Sequence, residues 1–377
     1  MNDNSLAGKK VVAMLNCHDD DVFCFRKEII DALADEGYIV LISCPYGERI
    51  EKIRRDNVIY EDIVIDRRGT NPIKDYRLYR EYIKLFKKYN PIAVLAFTIK
   101  PNIYGGLAAK KLKIPYVNNI TGLGSGFENG GIVKQVILAM YRVVLNSAYY
   151  VFFQNEANKE KIIKTGVISH KRYEVIPGSG VNLERFSFCE YPKTDEIVFN
   201  YIGRIMKDKN IDDYLFLAKK VHQKYNNVVF NVIGFVEKTE MHYREEMQEL
   251  EEQGIIKYLG PQQDVRPYIS DSYAIIHPST YGEGLSNVLL ESAAVGRALI
   301  TTKIPGCMET VQDGVNGFLF ESNNREMMIS VVEKFINLQY DKKKDMGKAS
   351  RKIAEEKFSR SIVVNKYRDL LQKIYEV

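Results

Sequence analysis

Ile197-Val-Phe-Asn-Tyr-Ile-Gly-Arg-Ile-Met-Lys-Asp-Lys209 is a short apolar run that stops at a glycine and turns basic. Such a run, bounded by a turn signal, reads as a buried strand. Similar runs follow at Val228 to Ile233, Lys257 to Leu259, Tyr273 to Ile276 and Ala298 to Thr301. Between them, apolar residues recur at helical spacing near 210–225, 240–253, 264–270 and 286–295. Strand and helix in alternation imply a parallel sheet covered on both faces. The same alternation occurs upstream, with strands at Val11 to Leu15, Ile39 to Ser43, Ile92 to Phe97, Tyr116 to Asn118 and Tyr149 to Phe153. Helical patterns at Phe25 to Glu36 and Tyr76 to Tyr89 separate them. The expectation is an α/β chain of two doubly wound domains facing a cleft, with a ligand at the carboxyl ends of the strands. The domains are read as 1–187 and 188–360, with Glu184 to Thr194 and its Pro192 as linker. Helical patterning resumes from Arg325 to Leu338 and from Asp345 to Tyr375, and residues 361–377 are expected to pack back on the first domain.

Composition agrees with a globular chain of this size: 377 residues, 45% hydrophobic and 27% charged. Nothing at the start reads as a signal peptide, since Lys9 and Lys10 precede only five apolar residues, Val11 to Leu15. Ile132 to Phe153 is apolar, but Lys134, Arg142, Asn146 and Ser147 interrupt it and argue against a membrane span. It reads either as a helix running into a strand or as a helix face resting on lipid. Five cysteines without regular spacing argue against a zinc site or a disulfide framework and fit a reducing cytosol.

Charge is unevenly placed. Residues 1–190 hold 28 Lys and Arg against 22 Asp and Glu, a net of +6, and the rest of the chain is near neutral. Residues 66–113 alone carry 12 basic side chains and 3 acidic ones. This is either a solvated helix face or a surface for an anionic partner, a lipid-linked diphosphate or an acidic membrane. No nucleic-acid reading motif accompanies it.

The chemistry concentrates in the second half. In His277-Pro-Ser-Thr-Tyr-Gly-Glu-Gly-Leu-Ser-Asn-Val-Leu-Leu-Glu291, two glutamates lie eight positions apart. Gly282 and Gly284 disfavour a helix through Glu283, which places Glu283 in a loop and Glu291 on a helix opening near Ser286 and ending at Gly296. The amides of Leu285, Ser286 and Asn287 would then surround a helix N-terminus, a ready phosphate site. Glu283 can accept hydrogen bonds from sugar hydroxyls and Glu291 from the two hydroxyls of a ribose. Gly203 lets a ligand approach the backbone, and Arg204 and Lys209 supply two cations for a diphosphate.

Gly203-Arg204 with Lys209, followed by Glu283 and Glu291 in this Pro-Ser to Glu-Gly setting, resembles family 4 of the retaining GT-B glycosyltransferases. The likeness spans nearly all of the second domain and extends to Gly306, Glu309 and Asp313-Gly-Val-Asn-Gly-Phe-Leu319. Thr98-Ile-Lys-Pro-Asn102 and Ile120-Thr-Gly-Leu-Gly124 are similar to bacterial members that build surface polysaccharides of capsule or O-antigen type on polyprenyl carriers. The resemblance implies a GT-B fold with two Rossmann-like domains, the first binding acceptor and the second a UDP-sugar. It implies that Arg204 and Lys209 offset the charge on departing UDP in place of a metal, so that no cofactor or metal is needed. Glu283 would hold the transferred sugar, Glu291 the ribose, and residues 284 to 287 (Gly284, Leu285, Ser286 and Asn287) the sugar and phosphates. Gly234, Phe235, Gln263, Asp264 and Val265 would surround the base. The implied reaction moves a hexose or N-acetylhexosamine from UDP to a polyprenyl-diphosphate-linked saccharide, on the cytosolic face of a bacterial membrane. Many relatives place a His where Asn118 and Asn119 stand, so a role for histidine there is not expected.

Acceptor-side candidates are His18 as a general base, Lys100, Asn118 and Thr121. The Gly122-x-Gly124-x-Gly126 loop is either an N–H cradle for donor or acceptor or a plain turn. Asp19-Asp20-Asp21 follows the first strand, reads as a polar loop and is not expected to bind metal. His277 reads as a packed histidine. Two other functions fit the same architecture, an epimerase acting on the UDP-sugar itself and a non-catalytic sugar-nucleotide binder. The first needs an acid and a base around the sugar C2, which the sequence does not offer. The second has no need of Arg204, Lys209 and Glu283 together.

Overall fold

The computed structural model describes residues 8–67, 69–123, 131–282 and 284–376. The chain divides into two compact units, Met1–Ser179 with Ser361–Val377, and Gly180–Arg360.

The first unit is built on β1 (Val11–Leu15), β2 (Ile39–Cys44), β3 (Val58–Asp62), β4 (Ala93–Phe97), β5 (Tyr116–Ile120), β6 (Tyr150–Phe153) and β7 (Tyr173–Val175). All pair in parallel, in the order β3-β2-β1-β4-β5-β6-β7. Successive residues of β1 enter opposite cores: Val11, Ala13 and Leu15 on one side, Val12 and Met14 on the other. Both faces are covered because helices α1 (Asp19–Phe25), α2 (Lys27–Asp35), α3 (Pro72–Tyr89), α4 (Gly106–Leu112), α5 (Gly131–Ser147) and α6 (Glu156–Lys164) return the chain across the sheet. α3 shows how local sequence sets an element. Asn71 caps the amides of Ile73 and Lys74, and Pro72 takes the first helical position, where no N–H is needed. Leu78, Tyr82, Leu85 and Phe86 form its buried stripe, and Asn90 ends it in the left-handed region at φ 41°.

The second unit repeats the scheme with β8 (Ile197–Ile202), β9 (Val228–Ile233), β10 (Lys257–Gly260), β11 (Ala274–His277), β12 (Ala298–Thr302) and β13 (Gly317–Phe320), in the order β10-β9-β8-β11-β12-β13. Its helices are α7 (Ile211–His222), α8 (His242–Glu252), α9 (Arg266–Asp271), α10 (Asn287–Val295), α11 (Arg325–Ile336) and α12 (Tyr340–Lys357). In both sheets the strand order reverses once, between β1 and β4 and between β8 and β11. Those reversals are the places where doubly wound folds bind ligands, outside the carboxyl ends of the strands.

The region from Asp345 to Tyr375 is two helices, α12 and α13 (Arg360–Tyr375), broken at Phe358 and Ser359. α13 belongs to the first unit. Val363, Val364, Tyr367, Leu370, Leu371 and Ile374 enter the core over β1 and β4, and Tyr367 donates to Asn119 Oδ1.

Two expectations need correction. Residues 184–194 are not a linker: Phe186 and Tyr191 are core residues of the second unit, and the buried Arg297 guanidinium donates to the carbonyls of Cys189 and Glu190. The boundary therefore lies at 179/180 rather than 187/188. There Val181 donates to the Phe358 carbonyl and accepts from the Arg360 amide, so the strands of chain entering and leaving the unit run side by side. The strands β3, β7 and β13 were absent from the sequence reading. Each lies at a sheet edge.

Candidate active site

In the second unit, β8 ends at Ile202, just before Gly203, and β11 ends at His277, on neighbouring strands at the reversal of the sheet. Their following loops are tied together. The Thr280 amide donates to the Asp208 carbonyl (3.3 Å), Ser279 Oγ donates to the same oxygen (3.4 Å), and Asn210 Nδ2 donates to the Pro278 carbonyl (3.1 Å). The basic loop and the loop leading to Glu283 are thus one structure. Glu283 itself lies outside the described residues.

The glycine at the end of β9 explains how closely these loops sit. A Cβ on Gly234 would lie 1.8 Å from the Gly203 carbonyl oxygen, and its φ of +149° disfavours any side chain. Gly234 is required by the backbone of Gly203, whatever ligand approaches. Phe235 beside it is 49% exposed, an aromatic face open to solvent.

Arg204 is partly exposed and lies 3.5 Å from Glu237. Lys209 is half-buried, and loss of hydration brings its ammonium down to about 8, with Arg204 adding to the fall. The same ammonium acts on His277 and Cys307, which places all three in one locality. Burial holds His277 uncharged, down to about 3, and pushes the Cys307 thiol up to about 12. Glu309, on the loop after β12, accepts from the Gly306 amide (2.7 Å), and burial raises its carboxyl.

α10 opens after Ser286 and stops at Gly296, which is left-handed at φ 87°. The Ser286 amide, expected to face phosphate, donates instead to the Gly306 carbonyl at 2.8 Å. The Leu285 side chain is a core residue. The open donors of the helix are therefore its first-turn amides, beginning with Asn287. Gly284 is buried beside them. Glu291, one helical turn further in, is raised to about 7 by burial, against the opposing pull of Arg360 and Arg185.

Gln263 is exposed, and Val265 packs at the edge of the core. Asp264 is committed elsewhere: Arg266 grips its carboxylate at 2.6 Å and holds it down to about 2. It also accepts from the Arg266 amide, turning the chain into α9.

The first-unit candidates divide sharply. His18 is exposed and caps α1, its Nδ1 accepting from the Asp20 amide (3.3 Å). His18, Asp19 and Asp20 bring ligand-type atoms within 4.8 Å of one another, and Arg49 reaches into this group with a 2.6 Å ion pair to Asp20. Asp19-Asp20-Asp21 forms the first turn of α1 rather than a loop, and Asp21 is not part of the cluster. Lys100 is buried and paired with Asp75 at 2.6 Å, and Tyr104 donates to the other oxygen of the same carboxylate. Asn118 is wholly buried and donates to the carbonyl and side chain of Asn102. Both are interior network residues, Lys100 held by α3 through Asp75 and Asn118 held on β5 by Asn102. Thr121 and Gly122 follow β5 at its open end, whereas Gly124 and Gly126 lie outside the described residues.

One residue missed by sequence reasoning is Thr98, which closes β4 with φ 70°. That value is strained for a β-branched side chain. Its hydroxyl donates to Cys17 Sγ at 2.9 Å, across the reversal of the first sheet. Only the Thr98-Ile-Lys-Pro motif pointed to it.

Comparison with known proteins agrees with this fold. Residues 184–353 match the model of glycosyl transferases group 1, and residues 12–155 match the glycosyl transferase 4-like model. The chain is 26% identical, over 94% of its length and 96% of the relative's, to the N,N'-diacetylbacillosaminyl-diphospho-undecaprenol alpha-1,3-N-acetylgalactosaminyltransferase of Campylobacter jejuni. It is 27% identical to the capsular polysaccharide biosynthesis glycosyltransferase CapM of Staphylococcus aureus, over 77% of this chain and 78% of that protein. Among solved structures, HepE of Anabaena in complex with UDP and glucose superposes with a TM-score of 0.78 at 17% identity, covering 96% of this chain and 99% of that one. A glycosyltransferase from Rickettsia africae reaches 0.79, also at 17% identity, covering 98% and 99%. With a 4-like first half, a group 1 second half and two parallel Rossmann-like sheets, the chain belongs to the family 4 glycosyltransferases of GT-B fold.

Proposed function

We propose that the protein transfers a hexose or N-acetylhexosamine, with retention of configuration and without a metal, from a UDP-sugar to a polyprenyl-diphosphate-linked saccharide. The observation that carries this is the joining of the Arg204–Lys209 loop to the loop before α10, at the reversal of the second sheet. Two relatives support the substrate class by their names. The Campylobacter jejuni enzyme acts on a diphospho-undecaprenol sugar. An Escherichia coli relative, 25% identical over 70% of this chain and 71% of its own, is a UDP-Gal:alpha-D-GlcNAc-diphosphoundecaprenol alpha-1,3-galactosyltransferase.

In this reading Arg204, Lys209 and the first-turn amides of α10 receive the diphosphate, and the charge they offset grows as the bond from C1 to the phosphate oxygen breaks. The acceptor oxygen bonds to C1 on the face UDP leaves, and its proton passes to the departing phosphate oxygen. Glu283 holds the sugar, Glu291 takes the ribose hydroxyls, and Phe235 with Gln263 borders the base. Surface polysaccharide assembly at the inner face of a bacterial membrane supplies the setting. α3 carries Arg77, Arg80, Lys84 and Lys87 along its exposed side, and α5 exposes Val133, Val136 and Val143. Both suit an anionic lipid surface. Among the described residues no helix is long and apolar enough to cross a membrane.

UDP release, measured with and without lipid-linked acceptor, tests the reading. Turnover should require acceptor and survive EDTA. Equal turnover without acceptor would contradict transfer, and loss of activity on chelation would return attention to His18, Asp19 and Asp20.

A further inference from the structure

Ser286 sits at the N-cap of α10 with extended backbone, φ −73° and ψ 109°. A serine in that position ordinarily turns its hydroxyl onto a first-turn amide and fills one of the helix's open donors. Ser286 makes no such bond. Its Oγ lies instead 3.3 Å from Nε2 of His277, the last residue of β11. Imidazole and hydroxyl are both buried, and Nδ1 of His277 has no partner among the described residues. A buried nitrogen left unsatisfied is uncommon, and packing alone does not call for one. A buried lone pair without a donor is tolerated better than a buried N–H without an acceptor. The favoured tautomer therefore carries its proton on Nε2 and donates it to Ser286 Oγ. Because the ring is uncharged at neutral pH, it adds no cation to the site. Whatever it does, it does through the serine.

We propose that His277 is a positioning residue of the donor site: by holding Ser286 Oγ, it prevents the serine from capping its own helix and keeps the first-turn amides of α10 open for the donor's phosphate. This rests on reading the start of α10 as the diphosphate site. The capping hydroxyl and the diphosphate compete for the same N–H groups, and the histidine decides the competition before the ligand arrives.

The test titrates UDP and uridine into the full chain and its variants. H277F should weaken UDP by roughly three- to ten-fold, about the strength of a serine cap, and leave uridine unchanged. A merely structural lesion would weaken both. H277Q, whose amide reaches the Nε2 position, should bind UDP as the parent does. S286A should stay within about two-fold of the parent, and H277F/S286A should regain parental UDP affinity, since no hydroxyl remains to compete. The proposal is overturned if the double variant binds as poorly as H277F, or if S286A alone loses what H277F loses. Hydrogen exchange of the Val288 and Leu289 amides, without ligand, checks the capping itself: they should gain protection in H277F, and unchanged exchange would sink the idea. Should H277F not fold, H277N, which reaches the Nδ1 position only, takes its place. Absence of UDP binding by the parent chain would contradict the donor reading, whereas the exchange measurement judges the role of His277 separately.

Discussion

The Lys209 ammonium sits close to its titration point, at about 8, because half-burial strips its water. A bound diphosphate would favour the charged form, so UDP affinity should fall as pH rises through about 8. In Lys209→Ala that decline should vanish, with activity reduced by on the order of 2–4 kcal/mol of transition-state stabilisation. A parent-like rate at pH 7 would count against the role. Glu291 gives the opposite limb. Its carboxyl is raised to about 7 from an ordinary 4.5, so the folded chain keeps a proton that the unfolded chain has lost. Between those values stability falls as pH rises, because the unfolded state binds fewer protons. Glu291→Gln removes this slope: its melting temperature should exceed the parent's at pH 8 and match it near pH 4.5. The same variant should bind UDP more weakly, having lost an ionised acceptor for the ribose. Together the two groups predict donor binding that rises through about 7 and declines through about 8. Thermal melts and UDP titrations across pH 4.5–9 check both limbs.

At the level of elements, Gly234→Ala brings a methyl carbon onto the Gly203 carbonyl, and neither loop can give without moving the other. We expect a loss of about 2–4 kcal/mol in stability together with weakened UDP binding; denaturant melts that match the parent would show that the β8 and β9 loops part easily. The central strands were legible in the sequence because both their faces are buried, which leaves apolar runs, unbroken in β1 and interrupted only by Asn200 in β8. β3, β7 and β13 were not, although β10, also an edge strand, was. β3 and β7 carry Glu61, Asp62 and Glu174, and β13 opens on Gly317. The donor-side motif was equally readable, because Gly203 and Gly284 mark strand ends and helix starts. Lys100 and Asn118 misled for a general reason. A polar residue near a strand end looks the same whether it meets a ligand or, as here, Asp75 and Asn102. The diversion of Ser286 toward His277 could not be read either, since nine positions of loop and glycine give no indication of which nitrogen a hydroxyl will face.

Across the whole molecule, the first unit depends on a helix encoded after the second. α13 contributes six apolar side chains to the core over β1 and β4. At about 1.5–3 kcal/mol for each buried side chain, their sum rivals the net stability of a typical domain, roughly 5–15 kcal/mol. A chain ended after Arg360 should therefore lose the calorimetric transition of the first unit and keep that of the second; two intact transitions would show that α13 is dispensable. The same arrangement inverts the usual order of biogenesis. Domains emerging from a ribosome ordinarily finish in the order in which they are made. Here the nascent amino-terminal sheet must wait, with part of one face uncovered, until translation has passed through the entire second unit. That interval exposes apolar surface to chaperones and lipid for as long as some 180 codons take to read, and a stall late in the message would leave the first unit unfinished when the second has already formed.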